Sequence, residues 1–175
     1  AGLRATSWMV PYERLGGAVS DVVDDARALG VSWVGCAWIP HDDRAGLTQA
    51  ELERAIVDFS RAGAALRAQG LRFFFHPHSY EFAPRRGDAG VAGNSAFDEL
   101  VTRTRAEDVS FEQDVFWFVR AGVDPIAYLR RYPGRFPLLH LKDLARGTRI
   151  ADTTGHAPKE AFVALGTGVV NWREL

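Results

Sequence analysis

The stretch F-F-F-H-P-H-S-Y-E-F, residues 73–82, joins an aromatic run to a group of polar side chains. Aromatic residues have high strand propensity, and with Leu71 the run suits a strand buried on both faces of a parallel sheet. Because side chains alternate along a strand, His76 and His78 are predicted to face the same side. A buried strand that ends in two imidazoles and the Glu81 carboxylate predicts the floor and rim of an active site. The alternative is one hydrogen-bonded core histidine followed by a polar turn.

Length and composition predict a single domain, 1–175. The chain has 175 residues, of which 47% are hydrophobic and 25% charged, so it can bury a sizeable core. A net charge of -1 gives no reason to expect nucleic acid or an anionic membrane as partner. No apolar run approaches the roughly 20 residues that cross a bilayer. Residues 1–10 lack the pattern of a signal peptide, and the single cysteine, Cys36, excludes an internal disulfide.

Apolar runs and helical patterns alternate along the chain. Strands are predicted at 3–10, 31–39, 73–75, 109–119 and 136–141, and helices at 19–29, 48–70, 97–104 and 124–132. Thr48 and Glu51 form a capping box at the start of the second helix. Residues 83–95 are predicted as a long loop, and 145–159 as a polar irregular segment. Strict alternation predicts right-handed βαβ units and a parallel sheet, whose ligands bind at the carboxyl ends of the strands.

The ends of three consecutive predicted strands carry side chains that can bind a metal. His76 and His78 follow the third strand, Asp114 lies in the fourth on the same face as Glu112, and His140 ends the fifth. A carboxylate in such an apolar strand is costly unless it is paired, hydrogen-bonded or bound to a metal. These residues lie about one βα unit apart and are therefore predicted neighbours. Imidazole and carboxylate ligands suit Mn, Co, Fe or Zn better than Ca.

The alternative to a metal site is a buried network in which Asp114 pairs with His140 or Arg120. His41, at the exit of the second strand, is a candidate for substrate contact, and an exposed turn is the alternative. His156 is predicted to be exposed in the polar segment. The G-T-G at 166–168 lacks the pattern of a phosphate-binding loop and is predicted to be a turn.

Several stretches resemble one family in its order and spacing. They are F-H-P-H-S-Y-E-F (75–82), F-E-Q-D-V-F-W (111–117), A-G-V-D-P (121–125), P-G-R-F-P-L-L-H-L-K-D (133–143) and L-G-T-G-V-V-N-W (165–172). With them the chain resembles, over essentially its whole length, the sugar phosphate isomerase/epimerase family of xylose-isomerase-like TIM barrels. The resemblance is specific for the family and much less so for the substrate.

The resemblance implies a (β/α)8 barrel with one divalent metal at its carboxyl face. Mn is the expected metal, and Co, Fe, Zn and Mg are alternatives. Asp114 and His140 match the family's ligands on strands six and seven. Where the family usually has a glutamate on strand five, this chain offers His76, His78 or Glu81, and His78 is the expected donor because it is nearer the strand end.

The five predicted strands match strands three to seven of such a barrel, and the family's last glutamate ligand, on strand eight, has no counterpart. A full barrel takes about 250 residues, and five parallel strands cannot close. The chain is therefore expected to be a fragment of a longer protein. Completion of the barrel by another chain is the second interpretation, and a self-sufficient half-barrel of about five βα units is the third.

The resemblance implies a metal-dependent isomerase or epimerase that acts through an enediolate on a ketose, an aldose or a related sugar. Glu81 or His76 is the expected base, Lys142 is expected to contact a substrate oxygen, and His41 and Trp117 are candidates for substrate binding. The alternatives are a lyase, similar to inosose dehydratase or a 3-keto-sugar eliminase, and a non-catalytic sugar-binding subunit. The expected location is the cytoplasm, with export as the alternative if a lost amino terminus carried a signal. A homo-oligomer is an open alternative to a monomer.

Overall fold

A computed structural model describes residues 2–83 and 95–175 and shows five parallel strands. The strands are β1 (Ser7–Met9), β2 (Trp33–Cys36), β3 (Arg72–Phe75), β4 (Ser110–Asp114) and β5 (Leu138–His140). Each strand pairs with the next one along the chain, in the order β1-β2-β3-β4-β5. This arrangement confirms the predicted parallel sheet and forms a half-barrel. Of the predicted loop at 83–95, residues 84–94 lie outside the described residues.

Five α-helices in the part of the chain that the structure describes connect and cover the strands. They are α1 (Ser20–Leu29), α2 (Gln49–Ala68), α3 (Ala96–Arg103), α4 (Val115–Ala121) and α5 (Pro125–Arg131). The predicted capping box of Thr48 and Glu51 is present at the start of α2. Gly30 ends α1 with a φ of 69°, a left-handed conformation that glycine adopts without strain. No described helix has the length and apolar composition that a membrane crossing requires.

The prediction of a strand over 109–119 is wrong in its second half, because β4 ends at Asp114 and α4 begins at Val115. The Asp114 carboxylate caps the helix by accepting the Trp117 N–H through Oδ1 at 3.4 Å. Gly122, with a φ of 80°, ends it. The run V-F-W-F is buried on every side of the helix, so it shows no helical periodicity and its aromatic residues suggest a strand.

Alternation along β3 builds the core on both faces of the sheet. Phe73 and Phe75 pack on Phe59 of α2, with ring centroids 5.2 and 5.1 Å apart. Phe74 points to the opposite face, where a Cβ at Gly35 would lie 2.3 Å from its ring. All three phenylalanines of β3 are buried, as predicted for a strand covered on both faces.

A short antiparallel hairpin follows β5 and consists of β6 (Asp143–Leu144) and β7 (Phe162–Val163). The buried Asp143 carboxylate holds the chain after β7. It accepts the backbone N–H groups of residues 144, 166, 168 and 170 and the Nε1–H of Trp172, at 2.9 to 3.1 Å. Residues 166–168 form a turn, as predicted, and this turn is wrapped around a carboxylate.

Replacing Gly63 by alanine should destabilise the fold, although alanine favours a helix over glycine by about 1 kcal/mol. A Cβ at this position of α2 would lie 2.0 Å from the carbonyl oxygen of Asp108, so the helix would have to move away. We expect Gly63→Ala to lower the free energy of unfolding in urea by about 1 to 3 kcal/mol. Gly17→Ala is the control, because no atom lies within 4 Å of its Cβ position. Equal stability of the two variants would contradict the close packing of α2.

Replacing Asp143 by asparagine should also destabilise the fold, by about 3 kcal/mol, because an amide cannot accept every hydrogen bond that the carboxylate accepts. Burial raises the pKa of Asp143, but the bonds from the Trp172 indole and three backbone amides outweigh burial and leave that pKa below its ordinary value. The carboxylate's contribution is therefore complete above pH about 4 and is lost as the pH falls further. Urea unfolding at several pH values should show the difference between wild type and Asp143→Asn shrinking below pH about 4. A difference that does not depend on pH would contradict an ionised Asp143.

Candidate metal centre

Three side chains meet at the carboxyl ends of adjacent strands. His76 directly follows β3, Asp114 ends β4 and His140 ends β5, and one possible ligand atom from each lies within 4.8 Å of the others. Asp114 and His140 are register partners in the β4–β5 pair, which places them side by side. The predicted neighbourhood of these three residues is confirmed. Two imidazoles and a carboxylate form a donor set typical of a divalent transition metal.

Oxygen Oδ2 of Asp114 is the atom that best shows why this group suits a cation. It is buried and accepts no hydrogen bond from the described residues. Nε2 of His76 lies 3.5 Å away, Nδ1 of His140 3.4 Å and Nζ of Lys142 2.8 Å. The Lys142 ammonium offsets part of the cost of burying this oxygen, and a bound cation would offset more of it. The three residues therefore fit a divalent metal.

Glu112 is the member of this centre that the sequence did not identify as a site residue. Its Oε2 lies 2.5 Å from Nδ1 of His76 and 3.9 Å from Nδ1 of His140. Burial raises the pKa of Glu112, but the hydrogen bond with His76 and the charges of His76, His140 and Lys142 leave it below its ordinary value. Since a carboxylate only accepts hydrogen bonds, Nδ1 of His76 carries the proton and Nε2 is left to face Asp114. The alternation of side chains along the strand predicted that Glu112 and Asp114 share a face, but it did not predict that Glu112 contacts His76.

Of the three alternatives for the third donor, the structure brings His76 into the group and leaves His78 and Glu81 outside it. Glu81 is fully buried, and its two carboxylate oxygens accept the backbone N–H of His78 at 3.2 and 3.0 Å. Burial raises the pKa of Glu81 to about 8. Glu81 therefore holds the backbone of the H-P-H turn. The ring of His78 lies 5.2 Å from that of His76, and burial, with the charges of His76 and Lys142, lowers the pKa of His78 to about 3.

The two candidates for substrate binding lie in different surroundings. Trp117 is 5% exposed, and its ring centroid lies 4.8 Å from that of His78, next to the possible metal ligands. The His41 side chain is 1% exposed and packs against Trp38 and Tyr80, with ring centroids 4.9 and 4.3 Å apart. The prediction of an exposed turn is therefore wrong for the His41 side chain. His41 belongs to an aromatic cluster next to the centre.

Arg120, at the last turn of α4, holds the polar segment against this cluster. It donates to the carbonyl oxygens of His156 and Arg149, both at 3.1 Å, and pairs with Asp152 at 2.9 Å. The suggested pairing of Arg120 with Asp114 is wrong, because these three acceptors occupy the guanidinium. His156 is exposed, as predicted, and its Nε2 lies 3.1 Å from Oδ2 of Asp43. No sequence motif indicated the role of Arg120.

Comparisons with known proteins place this geometry in a known fold. No family model matches the chain, and a search of curated proteins finds no match. Among solved structures, a sugar phosphate isomerase/epimerase from Parabacteroides distasonis is similar at 26% identity and a TM-score of 0.69, over 83% of this chain and 55% of that one. A xylose isomerase-like TIM barrel protein from Mycobacterium smegmatis, solved in complex with magnesium, is 16% identical with a TM-score of 0.62, over 99% of this chain and 61% of that one. The chain has the fold of a xylose-isomerase-like TIM barrel, in incomplete form.

A third neighbour, the IOLI protein with a binding zinc atom, is 13% identical with a TM-score of 0.69, over 98% of this chain and 61% of that one. The chain thus spans a little over half the length of each of these three solved structures. As in other TIM barrels, the carboxyl ends of the strands form the face that carries the candidate centre. Zinc and magnesium are the metals that the names of these neighbours mention, and Mn remains a prediction.

Removal of either Asp114 or His140 should abolish tight metal binding. We expect Asp114→Asn and His140→Ala each to weaken the binding of Zn²⁺ by more than about tenfold, or about 1.4 kcal/mol, because each removes a ligand from a set of three. Isothermal titration of the purified variants measures the affinity. His156→Ala is the matched control, because that imidazole is 61% exposed and lies outside the group of three. Equal affinity in all three variants would place the metal elsewhere.

Proposed function

We propose that the protein is a metal-dependent isomerase or epimerase that acts on a ketose, an aldose or a related sugar. The observation that carries the proposal is the buried Oδ2 of Asp114, which faces two imidazoles and Lys142 without a hydrogen bond. It lies at the catalytic face of a fold shared with a sugar phosphate isomerase/epimerase. Fold likeness alone does not define a reaction, so the assignment depends on the chemistry of these side chains.

His76, Asp114 and His140 are the residues that would hold the metal, with Mn as the expected ion and Zn or Mg as alternatives. Burial lowers the pKa of His140, which favours the neutral imidazole that a metal requires. When bound, the metal would act as a Lewis acid that draws electron density from the oxygens of an adjacent carbonyl and hydroxyl. The ligands' contribution is to keep donor atoms preorganised at three strand ends.

Lys142 is placed to contact a substrate oxygen. Its ammonium lies 2.8 Å from Asp114, and its side chain is 29% exposed, so a ligand at the centre can reach it. Negative charge develops on the carbonyl oxygen when a proton is removed from the neighbouring carbon. A lysine ammonium beside that oxygen would stabilise the charge in a largely buried position.

We assign the proton transfer to Glu112. His76 belongs to the possible metal group and Glu81 accepts the backbone N–H of His78, which favours Glu112 over these two expected bases. Glu112 is ionised, and while Oε2 holds His76, its Oε1 accepts no hydrogen bond from the described residues. A carboxylate next to the reacting carbon could remove and return the proton.

Exchange of a carbon-bound proton with D2O tests the proposed function. The protein loaded with Mn²⁺, Zn²⁺ or Mg²⁺ is incubated with a panel of ketoses and aldoses, and the products are examined by NMR and mass spectrometry. We expect deuterium next to the carbonyl and a product of the substrate's composition. Loss of water would instead identify the lyase, and metal binding without exchange on any sugar would contradict an enzyme of either class.

Two isosteric variants separate the roles of the glutamates in the same assay. Glu112→Gln keeps an oxygen that can accept from His76 but removes the base, so we expect exchange to fall by about 10²- to 10⁴-fold with metal binding retained. Glu81→Gln is the matched control and should retain exchange, because its carboxyl group lies beneath the turn. Full activity in Glu112→Gln would reduce Glu112 to a residue that orients His76.

A further inference from the structure

Two buried polar atoms beside the candidate centre have no hydrogen-bond partner among the described residues. They are Nδ1 of His78 and Nε1 of Trp117, whose rings lie 4.8 Å apart. Trp117 is 5% exposed, so bulk water does not supply a hydrogen-bond acceptor for its indole N–H. An unpaired buried donor or acceptor destabilises the folded protein, and such atoms in a native structure require an explanation. Neither atom takes part in the proposed reaction.

Both side chains lie beside the metal group, to which a series of ring and charge contacts connects them. Ring centroids lie 5.2 Å apart for His76 and His78, 4.8 Å for His78 and Trp117, and 6.3 Å for Trp117 and Phe162. Nζ of Lys142 lies 5.9 Å from the centroid of the Phe162 ring and 2.8 Å from Oδ2 of Asp114. The same Oδ2 lies 3.5 Å from Nε2 of His76. A substrate at the metal would therefore lie within reach of His78 and Trp117.

The backbone of each residue is fixed by a carboxylate. The Trp117 N–H donates to Oδ1 of Asp114, and the His78 N–H donates to Glu81. The backbone positions of both residues are thus held by neighbouring carboxylates. Preorganised polar groups of this kind bind a ligand without a further ordering cost.

We propose that His78 and Trp117 together bind one hydroxyl group of the substrate. The indole N–H donates to the hydroxyl oxygen, and the hydroxyl hydrogen is donated to Nδ1 of His78 in its Nε2–H tautomer. This assignment rests on the proposed function, since it places a sugar at the metal. A hydroxyl satisfies both atoms because it donates and accepts, whereas a carbonyl or carboxylate oxygen only accepts. The pair therefore selects a substrate in which the carbon that lies next to His78 and Trp117 carries a hydroxyl and not a keto group.

Indole NMR reads out the proposed contact without turnover. The protein, labelled with ¹⁵N at its 5 tryptophans, is titrated with xylitol and D-sorbitol in the presence of the diamagnetic ion Mg²⁺. These polyols have no carbonyl group and cannot be isomerised. We expect the Trp117 Nε1–H resonance, identified by its loss in Trp117→Phe, to move downfield in a saturable manner and further than the other indole resonances.

Variants supply the second part of the test. His78→Phe keeps a ring but removes the acceptor, and Trp117→Phe removes the donor, so each should weaken polyol binding by about tenfold, which corresponds to one lost hydrogen bond. If His78→Phe does not fold, the affinity of Trp117→Phe still decides the proposal. Trp33→Phe is the matched control and should bind normally, because Trp33 begins β2 at the opposite end of the sheet.

Three results would overturn the hydroxyl site: a Trp117 resonance that does not respond to polyol, unchanged affinity in both variants, or a persistent magnetisation transfer from water to the Trp117 indole in saturating polyol. The last would show that an ordered water occupies the position. The outcome is separable from that of the proposed function. Polyol shifts without deuterium exchange on any sugar would keep the hydroxyl site and reject the isomerase, whereas exchange without polyol shifts would do the reverse.

Discussion

The carboxylate of Asp114 is the group on which the candidate centre and its surroundings depend. Its two oxygens have different tasks: Oδ1 caps α4, and Oδ2 faces His76, His140 and Lys142. A buried carboxylate is stable only when its charge is compensated, so the surrounding cationic and imidazole groups are needed for the fold as well as for chemistry. The end of a strand, the start of a helix and the possible metal position are thus determined by one side chain.

Charge balance links the members of the centre. Two carboxylates, Glu112 and Asp114, lie on one face of β4, and their repulsion is offset by the Lys142 ammonium beside Asp114 and by the hydrogen bond between Glu112 and His76. A divalent cation at this position would take over the neutralisation of Asp114 that Lys142 provides. Lys142 could then interact with a substrate oxygen, which is the role proposed for it. The same side chains therefore compensate the buried charge in the free protein and would serve the reaction when a metal is bound.

Helix α4 connects the centre to the segment that covers the neighbouring aromatic cluster. Its first turn carries Trp117, and its last turn carries Arg120, whose guanidinium binds two carbonyl oxygens and Asp152. The bound segment brings Gly155 so close to Tyr80 and Trp38 that a Cβ would lie 2.8 Å from the Tyr80 ring. A buried arginine with three acceptors thus gives an otherwise irregular segment a defined position. This short helix therefore places Trp117 beside the centre with its first turn and holds the polar segment through Arg120 with its last turn.

The sequence by itself determined the features that arise from local patterns. Alternation of strands and helices, the capping box at Thr48 and the turn at 166–168 follow from residue spacing, and spacing of about one βα unit predicted that Asp114 and His140 are neighbours. Only the tertiary structure decided that α4 is a helix and that His76, and not His78, lies with Asp114 and His140. It also decided that Glu112 binds His76 and that Arg120 binds the polar segment. These outcomes depend on the directions of side chains from different elements and on the pairing of buried charges, which residue spacing along one chain does not specify.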